Sequence, residues 1–537
     1  MQTSGFIDSF IHGIEWPVID PDFLSVVLDS LKYDPASPLQ LPSVFMLTFL
    51  PLFFIVYALS AKNYRLKKAV VIIASLYLYY KLSGPYVLLL PALAFITWAA
   101  GLAVRRSHPS FWVGMAVAVN VLMLAVFKAA GLFSGLFEGN FAVSLASLAI
   151  PAGISFFCFQ SIAYVVDCKR GKVEVLKSFT DVLFLLAYFP KMFLGPLVKN
   201  SDFIARMRQE PQRLTSVDRA EAIRLISSGL LKFCVISRVL GHFLVDPVFA
   251  DSTAASGPAA LLAVYAYTFQ LYCDFSGYTD LACGISLFLG IRLPENFNLP
   301  YHSATITEFW RRWHISLSSW LREYLYISLG GNRKGKARTY ANLMITMILG
   351  GLWHGCGPMF LLWGAWHGSL LCAHKFIISL GSGRSGKSAG WFAKTGEGMS
   401  SIQKAAGVFF TFNAVAFGWL MFRSPDWTTF ISMLHSIFHT WTAAGFSSVA
   451  ELSAAQPAAE LLPGTFAAVS VALSALIAAV ITHILPDKTP AAFDRLLSRG
   501  GLPAQFVLLF LAVLIVLQTN ALLFSSTVSA LPVYANF

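Results

Sequence analysis

A series of long apolar stretches is the feature that most limits what this chain can fold into. Most are about 20 residues long, the length a helix needs to cross a hydrocarbon layer about 30 Å thick. Backbone polar groups find no water inside a bilayer, so only helices or closed barrels can span it. The stretches show no strand-like alternation and are approximately 41–60, 69–82, 86–104, 111–127, 148–166, 220–249, 259–289, 359–380, 405–422, 466–485 and 506–524. They predict an all-α, multi-pass membrane protein.

Composition and charge support the same prediction. Hydrophobic residues make up 56% of the chain, charged residues make up 12%, and the mean hydropathy is +0.66. These values do not fit a set of soluble domains. The chain has 39 Lys and Arg against 27 Asp and Glu, a formal net charge of +12. In a membrane protein this excess is typical of cytoplasmic loops that face anionic lipid. We therefore expect the lipid bilayer, and no nucleic acid, as the partner of these charges.

The positions of the basic residues predict the orientation in the membrane. Basic clusters follow the first, third and fifth stretches, which places those ends in the cytoplasm and the N-terminus outside it. Residues 1–40 contain six acidic residues against the single Lys32, which suits an extracytoplasmic extension. They lack the basic start and the cleavage site of a signal peptide. We divide the remainder into a catalytic core, 41–380, and C-terminal helices, 381–537, that complete the membrane domain.

Three stretches do not suit a straight crossing. Segment 179–197 contains Pro190 and Lys191 and has basic residues on both sides. This pattern favours a re-entrant segment that lines a cavity enclosed by protein. Segments 220–249 and 259–289 are longer than a straight crossing needs, so we expect them to be tilted or broken.

Two carboxylates lie inside the apolar run 259–289. Asp274 and Asp280 both fall within it, and buried carboxylates need partners. We expect arginines of the block that follows this run to pair with them.

The cysteines and two short motifs do not indicate a metal or nucleotide site. Seven cysteines are scattered through apolar runs without the spacing of metal ligands. Gly381–Ser388 matches the pattern GxxxxGK(S/T), but no strand precedes it, so a flexible basic loop is the better interpretation. His435 and His439 have the spacing of metal ligands on a helix but no accompanying carboxylate or third ligand. We predict no metal.

The stretch Glu295–Gly368 places a histidine in apolar surroundings. His354 lies fourteen residues after Tyr340, or roughly 21 Å along a helix, which places it at membrane depth. A polar group there is costly and is by default a functional candidate. The alternative is an imidazole satisfied by hydrogen bonds between helices. A neutral imidazole can take a proton from a hydroxyl at physiological pH.

The surroundings of His354 favour a functional role. We expect Trp353 and Trp363 to form walls beside its ring. We expect four nearby glycines to leave open room there, namely Gly350, Gly351, Gly355 and Gly357.

An aromatic, charged helix is predicted from about Thr305. Thr305 or Thr307 can cap it, and Glu308 can pair with Arg311 and Arg312. On such a helix His314 lies one turn beyond Trp310, on the same face. The helix carries a stripe of Trp310, Trp313, Leu317 and Trp320. The alternative is an amphipathic helix at the membrane interface.

A cationic segment, Asn332–Arg338, follows this helix. It can hold the phosphates of a nucleotide-bearing donor, or lipid headgroups. Both interpretations remain open.

Several of these motifs resemble one family. PYHSATITEFWRRWHISLSSWLREYLYISLGGNR, LGGLWHG and WGAWHG are similar to motifs of the membrane-bound O-acyltransferases. The most similar branch contains bacterial alginate- and cellulose-acetylating proteins and the D-alanyl transfer proteins of teichoic acids. The resemblance extends over about 41–375, and the acidic extension before residue 41 departs from it.

The resemblance implies a fold and a site. The fold would be a ring of about a dozen spanning helices around a funnel, with re-entrant segments, in a bacterial inner membrane. The family's catalytic histidine falls on His354 and its second histidine on His314. Substrate or donor binding is expected from Trp310, Arg311, Arg312, Trp313, Asn332, Arg333, Trp353 and Asp274.

The resemblance also implies substrates and partners. The co-substrate would be acetyl-CoA or an acyl-carrier thioester, with no bound cofactor, entering from the cytoplasm. The acceptor would be an extracytoplasmic polysaccharide or a periplasmic relay protein. Expected partners are a periplasmic acetyltransferase or esterase-like protein and the machinery of polysaccharide synthesis.

Two other functions remain open. The first is a transporter or flippase that uses the same cavity as a substrate path, although the hydropathy shows no inverted repeat. The second is a lipid or protein O-acyltransferase of the same family.

Overall fold

The structure is helical throughout its described part. It is a computed structural model that describes residues 32–34, 39, 44–60, 63–128, 150–209, 214–382, 400–441, 465–484 and 489–524. These ranges contain no strand, so the all-helical prediction is confirmed. Five helical stretches within them are long and apolar enough to cross a membrane, namely Tyr64–Val104, Pro109–Lys128, Ser216–Ala250, Ser401–Arg423 and Gly501–Ala521. A ring of about a dozen spans around a funnel stays a prediction.

The chain forms two compact units, Met1–Leu89 and Leu90–Phe537. The first contains α1 (Val44–Leu59) and α2 (Tyr64–Ser83), followed by a 3₁₀ turn at Gly84–Leu88. Asn63 caps α2, because its side-chain oxygen accepts hydrogen bonds from the next turn's backbone at 3.0 and 3.2 Å.

The second unit carries every residue predicted for the site. Its helices are α3 (Leu89–Val104), α4 (Pro109–Lys128), α5 (Ile154–Lys169), α6 (Phe179–Ala187), α7 (Phe189–Met192), α8 (Asn200–Arg208), α9 (Ser216–Leu230), α10 (Ser237–Leu240), α11 (Asp246–Ala250), α12 (Gly257–Phe288), α13 (Ile306–Arg312), α14 (Ile315–Trp320), α15 (Lys336–His354), α16 (Pro358–Ser382), α17 (Ser401–Arg423), α18 (Trp427–His439), α19 (Thr465–Ile484), α20 (Thr489–Arg499) and α21 (Gly501–Phe524).

The three segments that were not expected to cross straight differ from one another. Segment 259–289 lies in one uninterrupted helix, α12, so it is not broken, and its tilt stays a prediction. The stretch from α9 to α11 changes its hydrogen-bond register twice, through π-helical turns at Leu231–Ile236 and Gly241–Val245. Segment 179–197 breaks into the short helices α6 and α7. Lys191 lies in α7, and its ammonium donates to the carbonyl of Leu185 at 2.7 Å. Its re-entrant placement in the membrane stays a prediction.

A short helix lies between the last two apolar stretches. Residues 489–499 form this helix, α20. The helix forms because it buries one face, which includes Leu497 and Asp494. Asp494 accepts from the guanidinium of Arg224 at 2.6 Å, while Arg495 and Arg499 are exposed.

The carboxylates of α12 accept hydrogen bonds from the preceding helical stretch. Asp280 pairs with Lys232 at 2.8 Å and accepts from Ser228 at 3.0 Å. Asp274 accepts from Ser237 at 3.3 Å. The predicted arginine partnership is wrong for Asp280, because close packing of α9 against α12 brings Lys232 nearer. A Cβ at Gly229 would lie 2.6 Å from the carbonyl oxygen of Gly277.

Glycines pack α15 against α16. A Cβ on Gly351 would lie 2.2 Å from the carbonyl oxygen of Phe360, and one on Gly364 would lie 2.6 Å from that of Met347. A Cβ on Gly355 would lie 2.4 Å from the ring of Phe360. The prediction that these glycines leave open room is therefore wrong for Gly351 and Gly355. Their missing side chains let two backbones approach, as small residues do in membrane helix pairs.

Substituting Gly351 by Ala is expected to destabilise the protein by about 1–3 kcal/mol, the usual effect of overpacking. The carbonyl it would meet is backbone and cannot rotate away. The midpoint of thermal unfolding of the purified protein in detergent measures the effect. Gly350→Ala is the matched control, since its Cβ would lie 3.7 Å from Leu321, an ordinary contact. Equal midpoints for the two variants would contradict this packing.

Asp280→Ala is expected to destabilise the protein by about 2–3 kcal/mol, because it leaves the ammonium of Lys232 partly buried without its counter-charge. The two side chains of the pair are 20% and 15% exposed. Glu174→Ala removes the exposed pair with Arg208 and should leave the unfolding midpoint unchanged. A midpoint for Asp280→Ala equal to that of the control would show that Lys232 does not depend on this partner.

Candidate active site

The helix predicted from Thr305 is broken beside His314. Helix α13 ends at Arg312, and α14 begins at Ile315. His314 has φ 42° and ψ 55°, the left-handed conformation that non-glycine residues rarely adopt. The prediction of one continuous helix, with His314 a turn beyond Trp310 on one face, is therefore wrong.

A neighbouring loop explains why the helix breaks. The amide of Asn298 donates to the carbonyl of Arg312 at 2.9 Å, and the amide of Ile315 donates to the carbonyl of Asn296 at 2.9 Å. The loop therefore replaces hydrogen bonds that a continuous helix would have made. The break turns the side chains of Trp313 and His314, which are 2% and 1% exposed, into the core.

The start of α13 agrees with the prediction from the sequence. Thr305 caps it, because its hydroxyl accepts from the amide of Glu308 at 3.2 Å. Glu308 forms an ion pair with Arg312 at 3.0 Å, as predicted. Arg311 forms no ion pair within the described residues.

His314 is held by a polar group in an aromatic setting. Its ring contacts Phe275 edge-on at 4.6 Å and lies 6.5 Å from Phe297. Nδ1 lies 3.1 Å from the side-chain oxygen of Asn296. No protein group of the described part bonds to Nε2.

His354 ends α15 inside a cage of rings. Trp353 lies 4.4 Å away, Phe422 lies 4.9 Å away and Trp363 lies 5.2 Å away, each edge-on. His354 is 5% exposed. The predicted walls, Trp353 and Trp363, are therefore both present, and Phe422 of α17 adds a third that the sequence did not indicate.

The rings of both histidines lie beside the ring of Trp353. Its ring centroid lies 6.4 Å from that of His314 and 4.4 Å from that of His354. Lys128, at the end of α4, donates to the backbone carbonyl of Trp353 and lies 5.3 Å from its ring centroid. Sequence reasoning missed Lys128, although a lone lysine that ends an apolar stretch was a usable signal.

The other predicted binding residues fall into two groups. Trp310 and Trp313 join the aromatic cluster: Trp310 contacts Trp363 at 5.9 Å, and Trp313 contacts Trp419 at 4.9 Å. The remaining residues have contacts elsewhere or face solvent. Asn332 accepts from the hydroxyl of Tyr326 at 2.5 Å and Asp274 accepts from Ser237, while Arg311 and Arg333 are exposed.

Two cavities adjoin the loop that holds His314. One of about 860 Å³ is lined by Lys232, Asp280 and Asn296. The other, of about 460 Å³, includes Arg206 and Ser316 in its wall. Arg292, Leu293 and Glu295 line both cavities, so the loop forms part of each wall.

Ser316 and Asn296 lie between the two cavities. The hydroxyl of Ser316 donates to the side-chain oxygen of Asn296 at 2.8 Å. Asn296 lines the larger cavity only, and Ser316 lines the smaller cavity only. The two histidines are not among the wall residues of these cavities.

The other sequence motifs stand apart from this site. Gly381 and Ser382 end α16, and residues 383–388 of the phosphate-loop pattern lie outside the described residues. His439 bonds to the backbone carbonyl of His435 within α18. No group of three or more potential metal ligands occurs within the described ranges.

Comparison with known proteins decides the family. A profile of the membrane-bound O-acyltransferase family matches residues 39–383, a range that contains both histidines. The chain belongs to the membrane-bound O-acyltransferase family. It is an acyltransferase.

Two members of this family are similar to most of this chain. The probable alginate O-acetylase of Azotobacter vinelandii is 35% identical over 78% of this chain and 82% of its own length. The peptidoglycan O-acetyltransferase of Helicobacter pylori is 32% identical over 73% of this chain and 78% of its own length.

A third relative is more distant. The teichoic acid D-alanyltransferase of Bacillus subtilis is 27% identical over 42% of this chain and 59% of its own length. The names of these relatives share acyl transfer, and the two with the wider coverage are named for acetyl transfer.

Proposed function

We propose that this protein transfers acetyl from a cytoplasmic thioester, acetyl-CoA or an acyl-carrier thioester, across a bacterial inner membrane. The acceptor is a hydroxyl of an extracytoplasmic polysaccharide or of a periplasmic relay protein. The observation that carries the proposal is the meeting of His314 and His354 at Trp353, inside the range that matches the family. The names of the relatives favour acetyl as the group transferred.

The chemistry follows from the two imidazoles. An acetyl transfer needs a base for the hydroxyl that attacks and a group that orients the thioester as charge develops on its oxygen. We assign His354 to the hydroxyl, as its base or as a relay of the acyl group, and His314 to the thioester. The aromatic cage around His354 excludes water, which would otherwise compete as acceptor.

The smaller cavity offers the donor a route to His314. Ser316, two residues after His314, lies in its wall, and so do Lys199, Arg206 and Arg292. Arg292 is already paired with Asp218 and Glu221, so Lys199 and Arg206 are the cations that suit the phosphates of a nucleotide-bearing donor. The loop 169–172, which the charge pattern places in the cytoplasm, lies against the same region, where Lys172 pairs with Glu323 of the cavity wall.

The remaining parts of the proposal follow the orientation of the chain. With the N-terminus outside the cytoplasm, residues 1–40 face the periplasm, where an acetyltransferase or esterase-like partner and the polysaccharide machinery would meet the protein. The additional donor contacts predicted for Arg311, Arg312, Asn332, Arg333 and Asp274 remain proposals. The protein holds no cofactor in this scheme.

His354→Ala is expected to abolish acetylation of the exported polymer, since the variant lacks the base or relay. Ester-linked acetate on that polymer, measured in cells whose membranes contain normal amounts of the variant, checks this. His435→Ala, on α18, is the control and should keep normal acetate. Undiminished acetate in the His354 variant would refute the assignment. Substrate movement into liposomes without thioester cleavage would favour a transporter instead.

Arg206→Glu is expected to raise the apparent KM for acetyl-CoA by about three- to tenfold, equivalent to roughly 1 kcal/mol of lost attraction, and more at low salt. Initial rates in membrane vesicles at several donor concentrations measure the change. Arg208→Glu is the matched control: it lies on the same helix, α8, but pairs with Glu174 and does not line the cavity. Equal effects of the two substitutions would contradict the route.

A further inference from the structure

We propose that Asn296 is a positioning residue that holds His314 with its proton on Nδ1, so that Nε2 takes up a proton during acyl transfer. This inference rests on the proposed function. It changes the role of His314, because a neutral ring in this tautomer can accept but not donate at Nε2.

The orientation of the Asn296 amide follows from its other contacts. The backbone N–H of Ser316, which can only donate, lies 3.2 Å from Oδ1 of Asn296. The hydroxyl of Ser316 lies 2.8 Å from the same atom. That hydroxyl already accepts from the amide of Leu197 at 3.0 Å, so its proton points towards Asn296. The atom that faces Ser316 is therefore the carbonyl oxygen, and the amide cannot be flipped.

The tautomer of His314 follows in turn. Nδ1 lies 3.1 Å from this same oxygen, and two acceptors at that distance would repel each other. Nδ1 must carry a proton, and the neutral ring keeps its lone pair on Nε2. No carboxylate of the described part forms an ion pair with the ring, so a doubly protonated imidazolium would be a buried charge without a counter-ion.

The conformation of the backbone supports a dedicated function for this arrangement. His314 occupies the left-handed region at φ 42°, which costs a non-glycine residue about 1–3 kcal/mol and is typical of functional sites. Asn296 stabilises the break twice, through its carbonyl to Ile315 and through its side chain to His314. Nε2 is buried without a protein partner in the described part, a costly state for a polar atom that has no substrate to bind.

The proton transfer balances as follows. The acceptor hydroxyl gives its proton to Nε2 as its oxygen forms a bond to the thioester carbon. The carbon–sulfur bond then breaks, and the sulfur leaves as a thiolate. The proton on Nε2 passes to that thiolate, which gives a free thiol and restores the neutral ring. His314 thus takes the role of proton acceptor that the proposed function gave to His354, and His354 contacts the thioester.

Asn296→Asp tests this role with almost no change of shape. The carboxylate still accepts from Ser316 and His314, but its charge stabilises the protonated ring. If Nε2 acts as a base, the ascending limb of the pH–rate profile moves to higher pH. If His314 instead donates to an oxyanion, the descending limb moves to higher pH, and the proposal is overturned. An unmoved profile assigns Asn296 a structural role only and also overturns it.

The groups that can titrate near His314 are few. On α15, His354 lies beside Trp353, whose ring also lies beside that of His314. On α4, Lys128 lies at Trp353. From α12 and the loop, Phe275 and Phe297 face the ring and carry no charge. The Asn296 variants leave His354 and Lys128 in place.

Asn296→Ala removes the acceptor and should lower the rate at the optimum pH by at least about tenfold. For comparison, the wrong histidine tautomer lowers kcat by about 10⁴-fold in a Ser-His-Asp triad. Asn63→Asp is the control: it introduces the same charge at the exposed cap of α2, lines neither cavity, and should keep the normal profile. The assay measures transfer of labelled acetyl from acetyl-CoA to polymer in membrane vesicles, per amount of protein, at about pH 5 to 9.

The assay separates two kinds of failure. If the unaltered protein transfers no acetyl from acetyl-CoA or from an acyl-carrier thioester, the proposed function fails. If the unaltered protein transfers acetyl but Asn296→Asp and Asn63→Asp have the same profile, only the role of Asn296 fails.

Discussion

The break in the helix at Trp313 and His314 is the constraint on which the site depends. A continuous helix from Thr305 would carry His314 on the same face as Trp310. The break instead turns two consecutive side chains into the core. A left-handed residue is costly here, but the loop around Asn296 supplies two backbone hydrogen bonds and one side-chain acceptor. The loop thereby supplies partners for the backbone groups of Arg312 and Ile315 and for Nδ1 of His314.

The second histidine reaches the site by a different physical means. Helix α15 approaches α16 so closely that Cβ atoms at Gly351 and Gly364 would collide with backbone carbonyls. This contact fixes the end of α15, where Trp353 and His354 lie. Van der Waals packing of small residues is the main source of association between helices in lipid. One imidazole is thus positioned by hydrogen bonds and the other by backbone packing.

Several polar groups lie in the walls of the two cavities that adjoin the His314 loop. Lys232 and Asp280 pair in the wall of the larger cavity, and Asn296 and Ser316 separate it from the smaller one. Neither histidine lines these walls. His314 adjoins them through Asn296, to which Ser316 is hydrogen-bonded.

Much of this protein follows from its sequence alone. The apolar stretches determined the helical class, because a bilayer leaves the backbone few alternatives, and the motifs around His314 and His354 determined the family. The capping of α13 by Thr305 and the pair between Glu308 and Arg312 were also readable, since both depend on neighbours within four residues. In each case the residues that interact lie in the same short segment of the sequence, so the interaction is visible there.

Only the tertiary structure decided how the site is assembled. The left-handed turn at His314, the partner of Asp280 and the contact of Lys128 with Trp353 all depend on segments far apart in the chain. The glycines near His354 fail to leave open room for the same reason. The backbone of Phe360 fills the space beside Gly351, and its ring fills the space beside Gly355. Local periodicity does not specify which backbone lies opposite a residue, so these contacts required the fold.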